Sequence, residues 1–361
     1  MLYTCITRRK LKRLQRGECM FVLSRKWKII ISLLLVVFAT VVGVRTFAEN
    51  RDKTFISIAT ASTGGTYYPI GVGMANIWST HLKKEKIQAS GQSSAGSIEN
   101  IELLRNGEAH LAILQGLAAS QAYEGKKAFS KKRYKDLRTI CMLWPNVEHF
   151  VLMNDKVKTG TIEDIEGTRF SVGPQASGTE QSTVAIMEGL GLTKKDISPE
   201  YLGYNDTTSA MRDGRLDGGS LPAGIPVSAV TDMYASLVDA SILEVTDEQL
   251  KGINSISNAW YSYVIPKGTY PRLHKDIKTI AQPNLLATTK KLSEDTVYLL
   301  TKTLYENLDK MYEVHNSAKE MKLETALNGI TVPLHVGAYK YFKERGLKIP
   351  KNLIPPEAIK E

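Results

Sequence analysis

One pattern recurs three times along the chain: a strand-like segment, a loop of small residues and then a helix-like segment. The loops span residues 60–66, 91–97 and 173–179 and consist mostly of glycine, serine, threonine and alanine. Alternating or β-branched residues before each loop predict strands, and apolar residues at helical spacing after it predict helices. Strands that alternate with helices build a mainly parallel sheet covered by helices. The pattern therefore predicts an α/β fold.

The same criteria assign the rest of the chain. Strands are predicted at 55–59, 87–90, 111–115, 149–153, 168–172 and 216–220, with strand-like residues at 256–265. Helices are predicted at 67–82, 98–106, from 179 to about 190, at 209–214 and beyond Leu292. The chain has 361 residues, more than one typical domain of roughly 100–200 residues, so two lobes are expected.

The net charge of +10 is concentrated at the N-terminus. Residues 1–48 contain ten basic residues and one acidic residue, whereas residues 49–361 contain 37 basic and 36 acidic residues. The body is therefore nearly neutral, and binding of nucleic acid through a basic surface is not expected.

The N-terminal segment has the composition of an export signal. Arg25, Lys26 and Lys28 precede an apolar run at 29–44, which ends shortly before Ala48 and a polar stretch. This order predicts a secretory signal over 1–48 with cleavage after Ala48, and hence a periplasmic protein. Two alternatives stay open: Met20 as the true start, and an uncleaved anchor formed by 29–44.

Motifs for catalysis or metal binding are sparse. The chain has no Walker loop, no Gly-x-Ser-x-Gly elbow and no His-Glu-x-x-His motif, and its six histidines lack metal-ligand spacing. His149, next to Glu148, is interpreted as a hydrogen-bonded structural residue. Cys141 is the one cysteine outside the leader, and it reads as a core residue. We expect no metal, no cofactor and no enzymatic activity.

The small-residue loops are suited to holding an anion. Helix N-termini expose unpaired N–H groups and a partial positive charge, and glycine lets a ligand approach the backbone. Ser177 fits the N-cap of the following helix and Glu180 its third position, so Glu180 is interpreted as part of a helix cap. The candidate ligand-binding residues on these grounds are Gly65, Thr66, Tyr67, Ser94, Gly96, Ser97, Gln115, Ser177, Gly178 and Thr179.

Four segments in this order resemble the TAXI family, the solute-binding proteins of tripartite ATP-independent periplasmic (TRAP) transporters. They are 63–71, 96–100, 112–115 and 177–180, and the similarity extends from about residue 55 to 350. The resemblance brings Asn100 and Gly224 into the candidate site. This sequence departs from the family at two places. It lacks the acidic residue that the family often has near 116–117, and its residues at 218–220 are smaller than those usual in the family.

The resemblance implies a two-lobed periplasmic binding protein fold of type II-like architecture, with the ligand cleft between the lobes. Lobe one would comprise 51–143 and 261–361, and lobe two 144–260. The protein would bind a small carboxylate, a glutamate-like amino acid or a dicarboxylate, and deliver it to a TRAP membrane permease driven by an ion gradient.

Two other functions are compatible with the sequence. A periplasmic hydrolase would use Ser177 or Ser94 as the nucleophile and would need a base beside it. A membrane-tethered ligand sensor would keep the 29–44 segment as its anchor and signal to a partner other than a permease.

Overall fold

The computed structural model describes residues 53–359. The predicted signal, its cleavage after Ala48, the alternative start at Met20 and the 29–44 anchor lie outside these residues. Within 53–359, no helix is both long enough and apolar enough to span a membrane.

The strands are short except for two. They are β1 Thr54–Ala59, β2 Ile87–Gln92, β3 Leu111–Gln115, β4 Leu137–Val147, β5 Phe150–Met153, β6 Arg169–Ser171, β7 Ser198–Glu200, β8 Gly218–Ser220, β9 Ala240–Ile242, β10 Tyr261–Ile265 and β11 Ile277–Thr289.

The α-helices lie between and after these strands. They are α1 Tyr67–His81, α2 Ser97–Asn106, α3 Gly116–Glu124, α4 Gly178–Gly189, α5 Tyr204–Arg212, α6 Ser228–Ala235, α7 Asp247–Ile256, α8 Glu294–Tyr305, α9 Leu308–Val314 and α10 Val336–Glu344. Short 3₁₀ helices cover Lys127–Phe129, Asn154–Lys156, Ile162–Ile165, Asn316–Glu320, Lys351–Leu353 and Pro356–Ile359.

The strands form two sheets. In the first, the order is β10-β11-β3-β1-β2, with β4 also paired to β11, and β1 runs parallel to β2 and β3. In the second, the order is β7-β6-β8-β5-β9, and β6 runs parallel to β7 and β8. Each sheet contains the strand–loop–helix units predicted from the sequence. The predicted two-lobed α/β fold is confirmed.

Each sheet has its own apolar core. The first cluster includes Trp78, Leu114 and Trp144. On β5 of the second sheet, Val151 packs into one cluster while its neighbour Phe150 packs into another, because successive side chains of a strand point to opposite faces. The second sheet is therefore covered by apolar residues on both faces.

The two long strands, β4 and β11, carry the chain between the two sheets. They pair antiparallel, and Pro283 of β11 lies opposite Pro145 of β4. Neither proline has an N–H to donate, and the register shifts beside this pair, between Asn284 and Leu285. The extended ladder is thus interrupted where the chain passes from one sheet to the other.

The lobe boundaries stay a prediction, and the packing favours a later second crossing than residue 261. Although β10 pairs with β11 in the first sheet, Ile265, Tyr270 and Ile277 pack in a cluster of the second. The first cluster takes up the chain again at Leu285.

Two sequence predictions differ from the structure. Helix α5 begins at Tyr204 rather than at residue 209, because Gly203 forms its N-cap directly after β7. The segment predicted as strand-like at 256–265 is the end of α7 followed by β10. Strand β11 was not predicted, because Pro283 and its polar neighbours interrupt its apolar pattern.

Candidate ligand-binding site

A small cavity lies where the small-residue loops of the two sheets meet. Loops that follow strands of both sheets contribute to its wall. The lining residues are Ala61, Ser62, Gly65, Thr66, Tyr67, Ala95, Gly96, Ser97, Gln115, Pro174, Ser177, Gly178, Thr179, Tyr204, Pro222 and Ala223.

Five helices start at this cavity. Lining residues include the N-caps of α1, α2, α3 and α4 and the first residue of α5. The first N–H groups of a helix have no acceptor within the helix, and its N-terminus carries a partial charge of roughly +0.5. Convergence of five such ends produces a positive potential without any basic side chain.

None of the lining residues, all of which lie in the described part of the chain, carries a charge. The nearby acids are engaged elsewhere. Glu99 accepts a hydrogen bond from the Ala95 N–H at 2.5 Å, and Glu180 pairs with Lys194 at 2.8 Å. The cavity is therefore neutral in its side chains and positive in its backbone.

Two hydroxyl groups of the wall are used by the protein itself. Thr66 Oγ1 donates to the carbonyl of Gly224 at 3.1 Å. The Tyr204 hydroxyl donates to the Pro222 carbonyl at 2.6 Å, so Thr179 Oγ1, 2.9 Å away, donates to Tyr204. Thr66 and Thr179 both line the cavity, as predicted, but in this structure their hydroxyl protons are used within the protein.

Ser177 can still donate. Its Oγ accepts from the Glu180 N–H at 2.9 Å as the N-cap of α4, so its own O–H can point to a ligand. The predicted cap is confirmed. The second half of the cap differs from a capping box, since Glu180 Oε2 accepts from the Ala176 N–H rather than from that of Ser177.

Gln115 places an amide at the end of β3. Its backbone N–H donates to Ser97 Oγ at 3.0 Å, which fixes the residue against α2. Its side chain is 3% exposed, and Oε1 has no hydrogen-bond partner among the described residues. A buried acceptor without a donor is costly unless a ligand supplies one.

The walls of the cavity approach one another closely at Gly178. A Cβ atom there would lie 2.6 Å from Ser97 Oγ and 2.7 Å from Gln115 Oε1, so any larger residue would displace these two side chains. Beside this contact the Glu99 N–H donates to the carbonyl of Ala176 at 3.0 Å. The loops before α2 and α4 are therefore in direct contact across the cavity.

Nine predicted site residues line the cavity, and three do not. Ser94 Oγ donates to Asn100 Oδ1 at 2.6 Å and also lies 3.0 Å from the carbonyl oxygen of Thr60. Asn100 is completely buried, and its Nδ2 donates to the carbonyls of Ala59, Thr60 and Ile113. Gly224 lies against Ser317 and Trp144. All three support the loops from behind.

The sequence prediction missed the contribution of α5 and of the segment after β8. Tyr204 forms a wall of the cavity, together with Pro222 and Ala223. A signal for Tyr204 was present, because Gly203 separates a short strand from a helix, as in the other small loops. Missed lining residues in the predicted loops are Ala61, Ser62, Ala95 and Pro174.

The two tyrosines of the wall are neutral. Burial raises the pKa of both Tyr67 and Tyr204 above the ordinary value. Tyr67 donates to Asn284 Oδ1 at 2.6 Å, and its ring packs edge-to-face on Trp144 at 5.8 Å. Trp144 is fully buried behind Tyr67 and does not line the cavity.

The hydrolase alternative requires a base beside Ser177. No His, Asp, Glu or Lys occurs among the lining residues between 61 and 223. His149 lies elsewhere: its Nδ1–H donates to the Val147 carbonyl, and its Nε2 accepts from the Tyr270 hydroxyl at 2.7 Å. Burial lowers the pKa of His149 to about 4, consistent with a structural role.

No cluster of three or more His, Cys, Asp and Glu within residues 53–359 is arranged to hold a metal ion. Cys141 is buried in the core, as predicted, and burial raises the pKa of its thiol to about 12.

Several solved structures are similar to this chain at low identity. The periplasmic aliphatic sulphonate-binding protein SsuA from Escherichia coli shares 12% identity, with 80% of this chain and 78% of that chain covered and a TM-score of 0.43. The alkanesulfonate-binding protein SsuA from Xanthomonas axonopodis pv. citri, bound to MOPS, shares 14%, with coverages of 85% and 98% and a TM-score of 0.43. DctP7, a Bordetella pertussis extracytoplasmic solute receptor binding pyroglutamic acid, shares 13%, with coverages of 81% and 92% and a TM-score of 0.42.

The family assignment rests on the sequence match. The NMT1-like family matches residues 58–346, which include both sheets and every residue that lines the cavity. The chain therefore belongs to the NMT1-like family, whose members are periplasmic solute-binding receptors.

Proposed function

We propose that this protein is an extracytoplasmic receptor that binds a small carboxylate in the cavity and delivers it to a TRAP-type permease driven by an ion gradient. The observation that carries the carboxylate is the convergence of five helix N-termini on a cavity without charged side chains. Backbone N–H groups and helix dipoles bind anions without a basic residue.

The position of the cavity supports a receptor that closes on its ligand. Gly178 and Ala176 of one wall contact Ser97 and Glu99 of the other. A ligand that bridges both walls stabilises the arrangement in which they meet, and shifts the population toward it. The permease would recognise this ligand-bound arrangement.

A thermal-shift panel tests the ligand class. Amino acids, dicarboxylates, keto acids, sugars and cations are each added to the purified protein. A ligand at about 100 times its Kd stabilises the folded state by roughly 2.7 kcal/mol. We expect hits among the carboxylates, whereas hits confined to sugars or cations would contradict the proposal.

A transport assay tests the partner. Uptake of the identified ligand is measured in cells with and without the receptor gene, and after an ionophore collapses the ion gradients at constant ATP. We expect uptake to require the receptor and to stop with the ionophore. Uptake that follows ATP instead would remove the TRAP assignment and leave the receptor function intact.

A further inference from the structure

The polar groups of the cavity distinguish among carboxylates. Among the cavity-lining residues, which lie between 61 and 223, one buried side-chain polar atom has no hydrogen-bond partner. This atom is Gln115 Oε1. It lies 2.7 Å from the position that a Cβ of Gly178 would occupy, so it is in contact with the first turn of α4 at the edge of the cavity. The protein thus holds an unpaired acceptor in the cavity wall, beside the N–H donors of α4.

An unpaired acceptor calls for a ligand that donates a hydrogen bond. The helix N-termini supply donors for a carboxylate, and they repel positive charge. A ligand that fits both features carries a carboxylate at one end and a hydrogen-bond donor at the other.

An ammonium group does not fit this environment. Its three N–H groups and full charge require a carboxylate or several acceptors once they leave water. The acids beside the loops, Glu99 and Glu180, bond to Ala95 and Lys194, and the fully buried Glu148 accepts from Trp260. Gln115 offers one neutral oxygen. A zwitterionic amino acid would therefore bury a poorly paired charge beside five helix N-termini.

We propose that the ligand is a small carboxylate whose second polar group is an uncharged donor, of the hydroxy-acid type, and that Gln115 selects it against the corresponding α-amino acid. This inference rests on the proposed carboxylate-binding function and narrows its ligand class. It places Gln115 as the specificity-determining residue of the cavity.

Matched ligands isolate the second polar group. Calorimetric titrations of the purified protein use three triplets that differ only at C2: lactate, propionate and alanine; malate, succinate and aspartate; 2-hydroxyglutarate, glutarate and glutamate. In the triplet that binds best, we expect the hydroxy acid to bind about tenfold more tightly than the unsubstituted acid, the size of one good hydrogen bond. We expect the amino acid to bind at least about a hundredfold more weakly than the hydroxy acid.

The variant Gln115→Met keeps the side-chain length and removes the acceptor. We expect the preference for the hydroxyl group to fall below about twofold in this variant. The matched control is Gln121→Met on α3. Gln121 is also buried with an unpaired Oε1, but it does not line the cavity, so the tenfold preference should persist.

The outcomes separate the two levels of the proposal. If no carboxylate of any triplet binds, the proposed function and this inference both fail. If carboxylates bind but the amino acid binds as tightly as the hydroxy acid, or Gln115→Met keeps the tenfold preference, the function stands and the inference is overturned. Should Gln115→Met not fold, the order of affinities within a triplet still decides, because it is measured on the unaltered protein.

Discussion

Two buried amide side chains lie near the same cavity, and their surroundings are opposite. The Asn100 amide donates to three backbone carbonyls, and its Oδ1 accepts from Ser94 at 2.6 Å. Gln115 has an Oε1 without a partner among the described residues. Asn100 lies in the first half of α2, and Gln115 is the last residue of β3. Asn100 is fully hydrogen-bonded within the protein, whereas Gln115 keeps an acceptor that we propose a ligand fills.

The comparison separates residues that build the loops from residues that bind. Polar groups satisfied by the backbone hold the loops after β1 and β3 in place, and their loss costs folding free energy. Polar groups left open at the cavity cost folding free energy in the empty protein, and a ligand repays that cost. Whether a buried polar group has a hydrogen-bond partner within the protein indicates whether it supports the fold or binds the ligand. Residue type and distance from the loops do not.

The largest effect is expected from Asn100→Leu, which removes the amide that is fully hydrogen-bonded within the protein. The change removes the two N–H donors of a buried amide that three backbone carbonyls share, so we expect a loss of about 2 to 4 kcal/mol in the free energy of unfolding. Gln115→Met, its counterpart, should change that free energy by less than about 1 kcal/mol, because it removes an unpaired group. Urea unfolding of both variants measures the difference. Equal losses in the free energy of unfolding would contradict the distinction between the two residues.

Glu148 is a buried carboxyl group intermediate between these two cases. Its Oε1 accepts from Trp260 Nε1 at 3.1 Å. Its Oε2 makes no hydrogen bond of normal geometry within residues 53–359, although the Gln282 amide lies beside the carboxyl group, and burial raises its pKa from 4.5 to about 7. The folded state therefore binds more protons than the unfolded state between these pH values, and this group's contribution to stability falls as the pH rises from about 4.5 to 7.

Glu148→Gln stays uncharged over this range. We expect it to match the unaltered protein near pH 4.5 and to exceed it by about 3 kcal/mol at pH 8. The buried His149 and His335, whose pKa values burial lowers to about 4, contribute the opposite slope, but both proteins retain them. Urea unfolding at a series of pH values gives the difference, and a difference independent of pH would show that Glu148 is not protonated in the folded protein.

Gly178→Ala tests whether the close contact between the two cavity walls is needed for ligand binding. Its Cβ would overlap Ser97 Oγ and Gln115 Oε1, so both side chains would have to move away from their positions in the cavity wall. We expect ligand affinity to fall between about tenfold and a hundredfold, with little change in the melting temperature of the empty protein.

Gly203→Ala is the matched control for Gly178→Ala. A Cβ at Gly203 would lie 3.4 Å from Asp206 Oδ2, an ordinary contact, and Gly203 precedes a helix that starts at the same cavity. Calorimetric titration should show affinity close to that of the unaltered protein. An equal loss of affinity in both variants would mean that backbone flexibility, rather than the close approach at Gly178, explains the effect.

The smallest effect is expected at Glu180. Its side chain accepts from the Ala176 N–H and pairs with Lys194, and it does not line the cavity. Glu180→Ala should cost about 0.5–1 kcal/mol of stability and leave affinity nearly unchanged. Thermal melts and titration of the same sample separate the two, and lost binding at unchanged stability would move Glu180 into the site.

The main architecture could be predicted from the sequence because each small loop lies between a segment with the two-residue repeat of a strand and one with the 3.6-residue repeat of a helix. The N-terminus of α2 and its end at Gly107, whose φ is +76°, follow from local residue preferences. Strand β11 could not be predicted locally. Its pairing with β4 across Pro145 and Pro283 is a long-range contact that overrides unfavourable residues.

The site was predictable to the extent that loops of small residues converge at the ends of strands. Gly65, Gly96 and Gly178 reach the cavity for this reason. Which hydroxyl groups stay open could not be predicted, because Thr66 and Thr179 find their partners, Gly224 and Tyr204, on distant segments. Whether a polar side chain is satisfied is decided only by the assembled fold.

A crystal structure of the protein with the carboxylate that gives the largest thermal shift tests the central claim most directly. The account predicts that the carboxylate oxygens lie in the cavity, about 3 Å from backbone N–H groups in the first turns of α2 and α4. It also predicts a ligand donor on Gln115 Oε1. A ligand bound outside the cavity, or a carboxylate held by a lysine or arginine side chain, would contradict the account.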